Sequence, residues 1–373
     1  MKSLLLLALL LAGFVTNVPG AVTKSRELFR DAAFAEGFGA AWAYGSKFTL
    51  SSDRKEGAVT AYREIWPCQV HLIPDGSVTK VGVKEHPWDF EEGLHVNYKE
   101  GGHTVGELHA HRLVANHVIE FNAPGKLQFA QFNNHGLADN DPRRNTKLIK
   151  RVTTDRHGKL TLHYNSQNEI RNVATGYSAQ FALDTWPHVL LVQNFRDLPK
   201  LADFGALDFS LSFQVTKLHQ LSTWPSGIPG ATLPDMNWQF YFLLREIKHP
   251  ERMFWVGMLL HPSNPKHCFV HTSVEQWGTA MHREPFMPGG KAPAVGQRHV
   301  VRRELKALVR DVLKASAAKQ PDKKLSLNPD DFYLHLFNIG WEGIGHWEAE
   351  SELSELSLAA TPTVGIPEKE TSK

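Results

Sequence analysis

Asp331-Phe-Tyr-Leu-His-Leu-Phe-Asn-Ile-Gly-Trp-Glu-Gly-Ile-Gly-His-Trp-Glu-Ala-Glu350 decides how this chain is read. From Leu334 to Trp341 the residues are apolar except His335 and Asn338, the composition of a strand covered on both faces. From His346 to Glu352 the pattern becomes alternation, Trp347, Ala349 and Ser351 against Glu348, Glu350 and Glu352, which is a strand with one face in water. Two strands joined through Gly343 and Gly345 predict a hairpin, with Glu342 where the buried strand ends, between Trp341 and Trp347. A carboxylate flanked by indoles on a sheet is a composition suited to sugar rings; a solvated turn glutamate is the plainer alternative.

Working outward, the same period-two signal recurs. Phe209, Leu211, Phe213 and Val215 alternate with Ser210, Ser212, Gln214 and Thr216, and Trp238, Phe240, Phe242 and Leu244 oppose Gln239, Tyr241 and Arg245. A sheet with one greasy face must bury it against a second sheet, and its polar face then forms a concave surface for an extended polymer. The abundance of Phe and Trp, with Gly and Pro spread along the chain, fits a twisted antiparallel sheet protein with many turns. One late helix is expected over Arg302–Lys314, where Leu305, Leu308, Val309 and Val312 form a stripe. Ser25 to Ala35 carries apolar residues at helical spacing behind a serine cap and predicts a short N-terminal helix.

The bulk properties narrow the function classes. Lys2 followed by the apolar run Leu4–Val15 is too short to span a bilayer and has the form of a signal peptide over residues 1–20, so export to a periplasm or beyond the cell is expected. No later stretch is long enough for a membrane span. With 41 basic and 39 acidic residues there is no electrostatic basis for nucleic-acid binding. Only Cys68 and Cys268 are present, so a packed core and not a disulfide scaffold must hold the fold; whether the two pair is left open.

The C-terminal third, with Met253-Phe-Trp-Val-Gly-Met, Cys268-Phe-Val-His, the helix Leu305–Leu313 and Gly340-Trp341-Glu342, resembles the endoglucanase and xyloglucanase jelly rolls of the concanavalin A-like lectin/glucanase superfamily. The resemblance implies an all-β fold: a two-sheet antiparallel jelly-roll sandwich over residues 46–358, with one late flanking helix. A helical segment at 21–45 precedes it and a disordered tail at 359–373 follows. The resemblance also implies a glycoside hydrolase in which the Gly-aromatic-Glu supplies the general acid, here Glu342. The nucleophile, a glutamate a few residues ahead of the strand tryptophan, has no match in register; Glu251 is one or two positions out of step and Glu246 lies on the neighbouring strand end. Hydrolysis needs two carboxyl groups about 5–9.5 Å apart, so Glu246, Glu251, Glu169 and Glu275 are all candidates for the second. Gln239, Tyr241, Trp255 and Trp341 are the expected sugar-binding residues, and a polysaccharide or oligosaccharide is the expected partner.

Other chemistry is weaker. His103, Glu107, His109 and His111 have the spacing of partial zinc ligation, and Asp139, Asn140 and Asp141 make an oxygen-rich turn that could hold calcium or be a plain Asx turn. No cofactor is required. A polysaccharide lyase would use Tyr241 with Arg245 and Gln239, or Gln69 and His71. A non-catalytic, lectin-like module is the main alternative, supported by the missing nucleophile. No Gly-x-Ser-x-Gly elbow and no phosphate-cradling loop is present.

Overall fold

The computed structural model describes residues 24–34, 38–42, strand segments between 70 and 133, and then 141–170, 188–221, 235–264 and 270–363 with short internal gaps. The signal segment, both cysteines, His111, Asp139, Asn140, Glu275 and residues 364–373 lie outside the described residues. The strands between 38 and 133 are described by course and register alone.

Two eight-stranded sheets form the sandwich. In the first, β18 (Arg298–Glu304), β13 (Phe204–Gln220), β20 (Trp347–Pro362), β11 (Leu160–Asn165), β10 (Leu148–Thr154), β9 (Lys126–Asn133) and β8 (Ala115–Ala123) lie in that order, and β1 (Arg26–Glu27) adds to β20. The second runs β16 (His271–Val274), β17 (Thr279–Pro285), β15 (Met253–Pro262), β14 (Asp235–Glu246), β19 (Phe332–Ile344), β12 (His188–Asn194), β5 (Trp88–Gly93) and β2 (Phe38–Trp42). Two small hairpins, β3 (Val70–Leu72) with β4 (Val78–Lys80) and β6 (His95–Glu100) with β7 (His103–His109), stand apart. Pairing is antiparallel except for β15 with β17 and β2 with β5.

The alternating residues meet where the sheets face each other. Phe209 and Phe213 of the first sheet and Phe240, Phe242 and Phe337 of the second are all buried, with Phe209 4.9 Å from Phe240 between ring centroids. Burying a side chain of this size stabilises by roughly 1.5–3 kcal/mol, so this aromatic layer is the main adhesive between the sheets.

Three expectations are corrected. The Asp331–Glu350 stretch is not a hairpin: β19 pairs with β14 and β12, β20 pairs with β13 and β11, and the chain turns the corner between sheets at Gly345, whose φ is 96°. Adjacent strands in sequence imitate a hairpin; here the two are tied across the core instead, the Trp341 indole donating to Ser351 Oγ at 3.1 Å. The N-terminal segment is β1 followed by a turn, because Asp31 and Phe34 adopt positive φ, which a helix does not allow. Glu27 there accepts from the backbone N–H of Phe29 and of Leu358, and Phe29 drops into the aromatic core 5.0 Å from Phe337. The tail expected from 359 is still strand: Ala360 is buried and β20 continues to Pro362.

The late helix α2 (Leu305–Lys319) follows the short α1 (Ser166–Ile170) and begins three residues after the expected start. Glu304 explains the boundary, since its carboxylate accepts from the N–H of Lys306 and of Ala307 as a cap. Leu305, Val309, Val312 and Leu313 are buried as the stripe required.

Candidate functional site

The corner places Glu342 inside β19, not at a turn, with Asn237 of β14 opposite on one side and His188 of β12 on the other. Strand alternation then separates Trp341 from Glu342. Trp341 points into the core, 0% exposed, with Trp238 at 5.2 Å between ring centroids; the expectation that it binds sugar is corrected by that burial. Trp347 is buried as well. Glu342 points to the opposite face of the sheet and stays half-buried.

On that face β14 contributes Asp235, Asn237, Gln239, Tyr241, Leu243 and Arg245 in turn. Gln239 Nε2 donates to Glu342 Oε2 at 2.6 Å. The amide cannot turn over, because its Oε1 accepts from Arg283 Nη1 at 2.9 Å and from the Tyr241 hydroxyl at 3.4 Å. Arg283 reaches this point from β17, two strands from β14 and so about 10 Å away. Gly257 of β15 lies between, in register with Arg283 on one side and Tyr241 on the other. A methyl group at Gly257 would collide with the Tyr241 ring and the Phe240 carbonyl, so glycine is needed for the aromatic ring to lie there.

Burial pushes the Glu342 carboxyl above the ordinary carboxylate range, against the smaller opposing pulls of the Gln239 amide and the Arg283 charge. Burial likewise pushes the Tyr241 phenol up, far outside the neutral range. Trp255, half-buried, stands perpendicular to Tyr241 at 6.0 Å between centroids, which leaves an indole beside the polar cluster. Two buried acceptors on the same face, Asn237 Oδ1 and Asn338 Oδ1, have no hydrogen-bond partner.

The other expected carboxylates are not brought to Glu342. Glu246 pairs opposite Phe332, nine residues along β14 from the Asn237–Glu342 pair, or about 30 Å at the usual rise per residue. It is buried and held by Arg252 at 3.3 Å. Glu251 sits in the turn before β15, its side chain 68% exposed, near His249. Glu169 lies in α1, and its side chain is outside the described residues, as are those of His103, Glu107 and His109. Asp141 is occupied by Arg143 at 2.6 Å, as an Asx-type turn would have it. Among the described residues no cluster of three or more His, Cys, Asp or Glu is arranged to hold a metal ion. Nor is any described helix long and apolar enough to cross a membrane.

Sequence reasoning missed two residues. Asp235 is diagonal to Glu342 across the β14/β19 pair, a separation of about 7–8 Å. Its two oxygens accept from Ser263 Oγ at 2.8 Å and Asn237 Nδ2 at 3.0 Å. Arg283 is the other. Only strand register reveals either one.

No family model matches this chain, and no curated protein matches it by sequence. Among solved structures it is similar to the endoglucanase cel12A from Rhodothermus marinus, at 11% identity over 63% of this chain and 92% of that one, with a TM-score of 0.31. It is also similar to a native family 12 xyloglucanase from Bacillus licheniformis (11% identity, 65% and 100% covered, TM-score 0.33). A third is the family 11 xylanase from Neocallimastix patriciarum (9% identity, 66% and 98% covered, TM-score 0.33).

Proposed function

We propose that this protein is a carbohydrate-active enzyme that hydrolyses a polysaccharide on the outer face of its second sheet, with Glu342 as general acid and Asp235 as the second carboxyl group. The observation that carries the reading is Glu342 itself: a half-buried glutamate, raised in pKa by burial and met by an oriented amide instead of a cation. A raised pKa moves the carboxyl toward the protonated form that donation to a glycosidic oxygen requires. The diagonal strand relation of Asp235 to Glu342, about 7–8 Å between backbones, supports Asp235 as nucleophile or base of a pair whose carboxyl groups stand about 5–9.5 Å apart. Trp255 meets the sugar by its indole face, while the buried Gln239 and Tyr241 hold Glu342 in position beneath it.

Proton abstraction by Tyr241, the lyase route, is disfavoured by the raised pKa of its phenol. Reducing-end release is the test, measured across a polysaccharide panel with wild type, Glu342→Gln and Asp235→Asn. Release by wild type alone supports the pair. Equal release by Glu342→Gln would end the assignment, and binding without release by all three would leave a lectin-like module.

A further inference from the structure

Two sets of arginines in this structure contrast. Arg143, Arg151, Arg252 and Arg298 each lie against a carboxylate: Asp141, Glu350, Glu246 and Glu352 in turn. Arg283 and Arg245, both on the face that carries Glu342, lie against none among the described residues. Arg283 spends Nη1 on Gln239, and its Nε is buried without a partner. Arg245 reaches only the Pro250 carbonyl, at 3.3 Å through Nη1, and its Nε is likewise buried and unpartnered. A buried N–H without an acceptor is unfavourable, so a donor left in that state beside a candidate site points to an acceptor that arrives with the ligand.

The geometry of Arg283 says what that acceptor is. With Nη1 fixed on the Gln239 amide, the guanidinium lies beside the Tyr241 phenol, and Nε is the donor left without a partner. A guanidinium charge with a spare N–H in its planar fork favours an ionised acceptor, a carboxylate or a sulfate, over a neutral hydroxyl. Among the described side chains, the nearest acid on this face, Glu342, makes its hydrogen bond with Gln239 and no ion pair with Arg283. Asp235, engaged by Ser263 and Asn237, stands beyond Glu342 on the side away from Arg283. The face therefore grades from acidic at Asp235 and Glu342 to basic at Arg283 and Arg245.

We infer that the polymer taken by this site is anionic, and that Arg283 receives the acidic group, a uronate carboxylate or a sulfate ester, of the sugar next to the one at Glu342. The inference rests on the reading of this face as a glycan site. It adds a specificity-determining role for Arg283, with Arg245 meeting the same polymer further along β14.

Affinity electrophoresis of the intact wild-type protein tests it, in gels containing polygalacturonate, its fully methyl-esterified form, a sulfated galactan, the same galactan desulfated, and a neutral β-glucan. Retardation by one acidic polymer at least about tenfold stronger than by its uncharged counterpart is expected, the size of one charge-assisted hydrogen-bonded contact. The polymer that retards identifies carboxylate or sulfate. Arg283→Gln is expected to lose about tenfold or more of that binding, and Arg283→Lys to recover part, since it restores the charge without the fork. Equal binding to the charged and uncharged forms by wild type would overturn the inference while leaving the glycan reading intact, whatever the folding of the variants. Failure to bind any of the five polymers would remove both.

Discussion

The two strands on either side of the Gly345 corner carry glutamates of opposite circumstance. On β20, three successive outward glutamates each have a cation: Glu348 meets Lys217 at 2.7 Å, Glu350 meets Arg151 at 3.6 Å, and Glu352 meets Lys159 at 2.9 Å and Arg298 at 3.5 Å. Thr216 adds a hydrogen bond to Glu350 at 2.9 Å. On β19, Glu342 meets an amide, and Arg283, bonded to the same amide, has no ion pair among the described residues. At these three positions the first face balances its charges internally. The second keeps a protonatable acid, unused arginine donors and buried amide acceptors on one surface, an arrangement that costs stability unless something else completes it.

The sharpest way to break this contrast is to neutralise the glutamate on each side. Glu342→Gln should lower hydrolytic turnover by about 10²–10⁴-fold, the usual worth of a general acid, with polymer binding retained; steady-state kinetics beside a binding assay decides it. The same variant should be more stable than wild type above neutral pH and equal to it in acid. A raised carboxyl pKa gives stability that is present below the ordinary carboxylate range and lost as pH rises through the folded value. Denaturant titrations at two pH values would show the crossover or its absence.

Next in size is the inward neighbour. Trp341→Ala should cost about 3–5 kcal/mol in urea unfolding, as large-to-small changes in packed cores do. Trp341→Phe should cost less but still lose the Ser351 hydrogen bond, about 1 kcal/mol. A small effect of the alanine variant would mean that the corner is not tied by this indole.

A pH effect of smaller size is expected elsewhere. Burial holds His163, His261, His299 and His335 below the ordinary imidazole pKa. The stability these groups contribute is complete above the unfolded value of 6.5 and lost as pH falls through their depressed folded values. The melting temperature should therefore decline below about pH 6.5, and His261→Gln should flatten part of the slope. The smallest change is Glu352→Gln on the paired face, less than about 1 kcal/mol, because partly exposed ion pairs are screened. A loss as large as that of Trp341→Ala would erase the distinction between the faces.

The sandwich was legible because Phe209 to Val215 in β13 and Trp238 to Arg245 in β14 alternate with period two, and the late helix because its stripe is complete. Trp341 and the corner were not. A glycine-rich link between two strand patterns has one appearance whether the strands pair with each other or part into two sheets, and the choice depends on partners more than a hundred residues away. The N-terminal segment imitated a helix through Leu28, Phe29 and Ala32, yet Phe29 is drawn into the inter-sheet core, which local propensity does not register. Gln239, Tyr241 and Trp255 were found on the face that alternation assigned to them. Asp235 and Arg283 escaped notice since each reaches the site by register, the first diagonally and the second across a glycine.

β19 lies between β14 and β12, and β20 between β13 and β11, so the two central members of the sheets emerge from the ribosome after all the strands they join. Until about residue 344 has been synthesised for the second sheet, and about 362 for the first, each exists only as two separated halves. Closure is then a late, long-range event, and a nascent chain of this kind stays open for most of its synthesis.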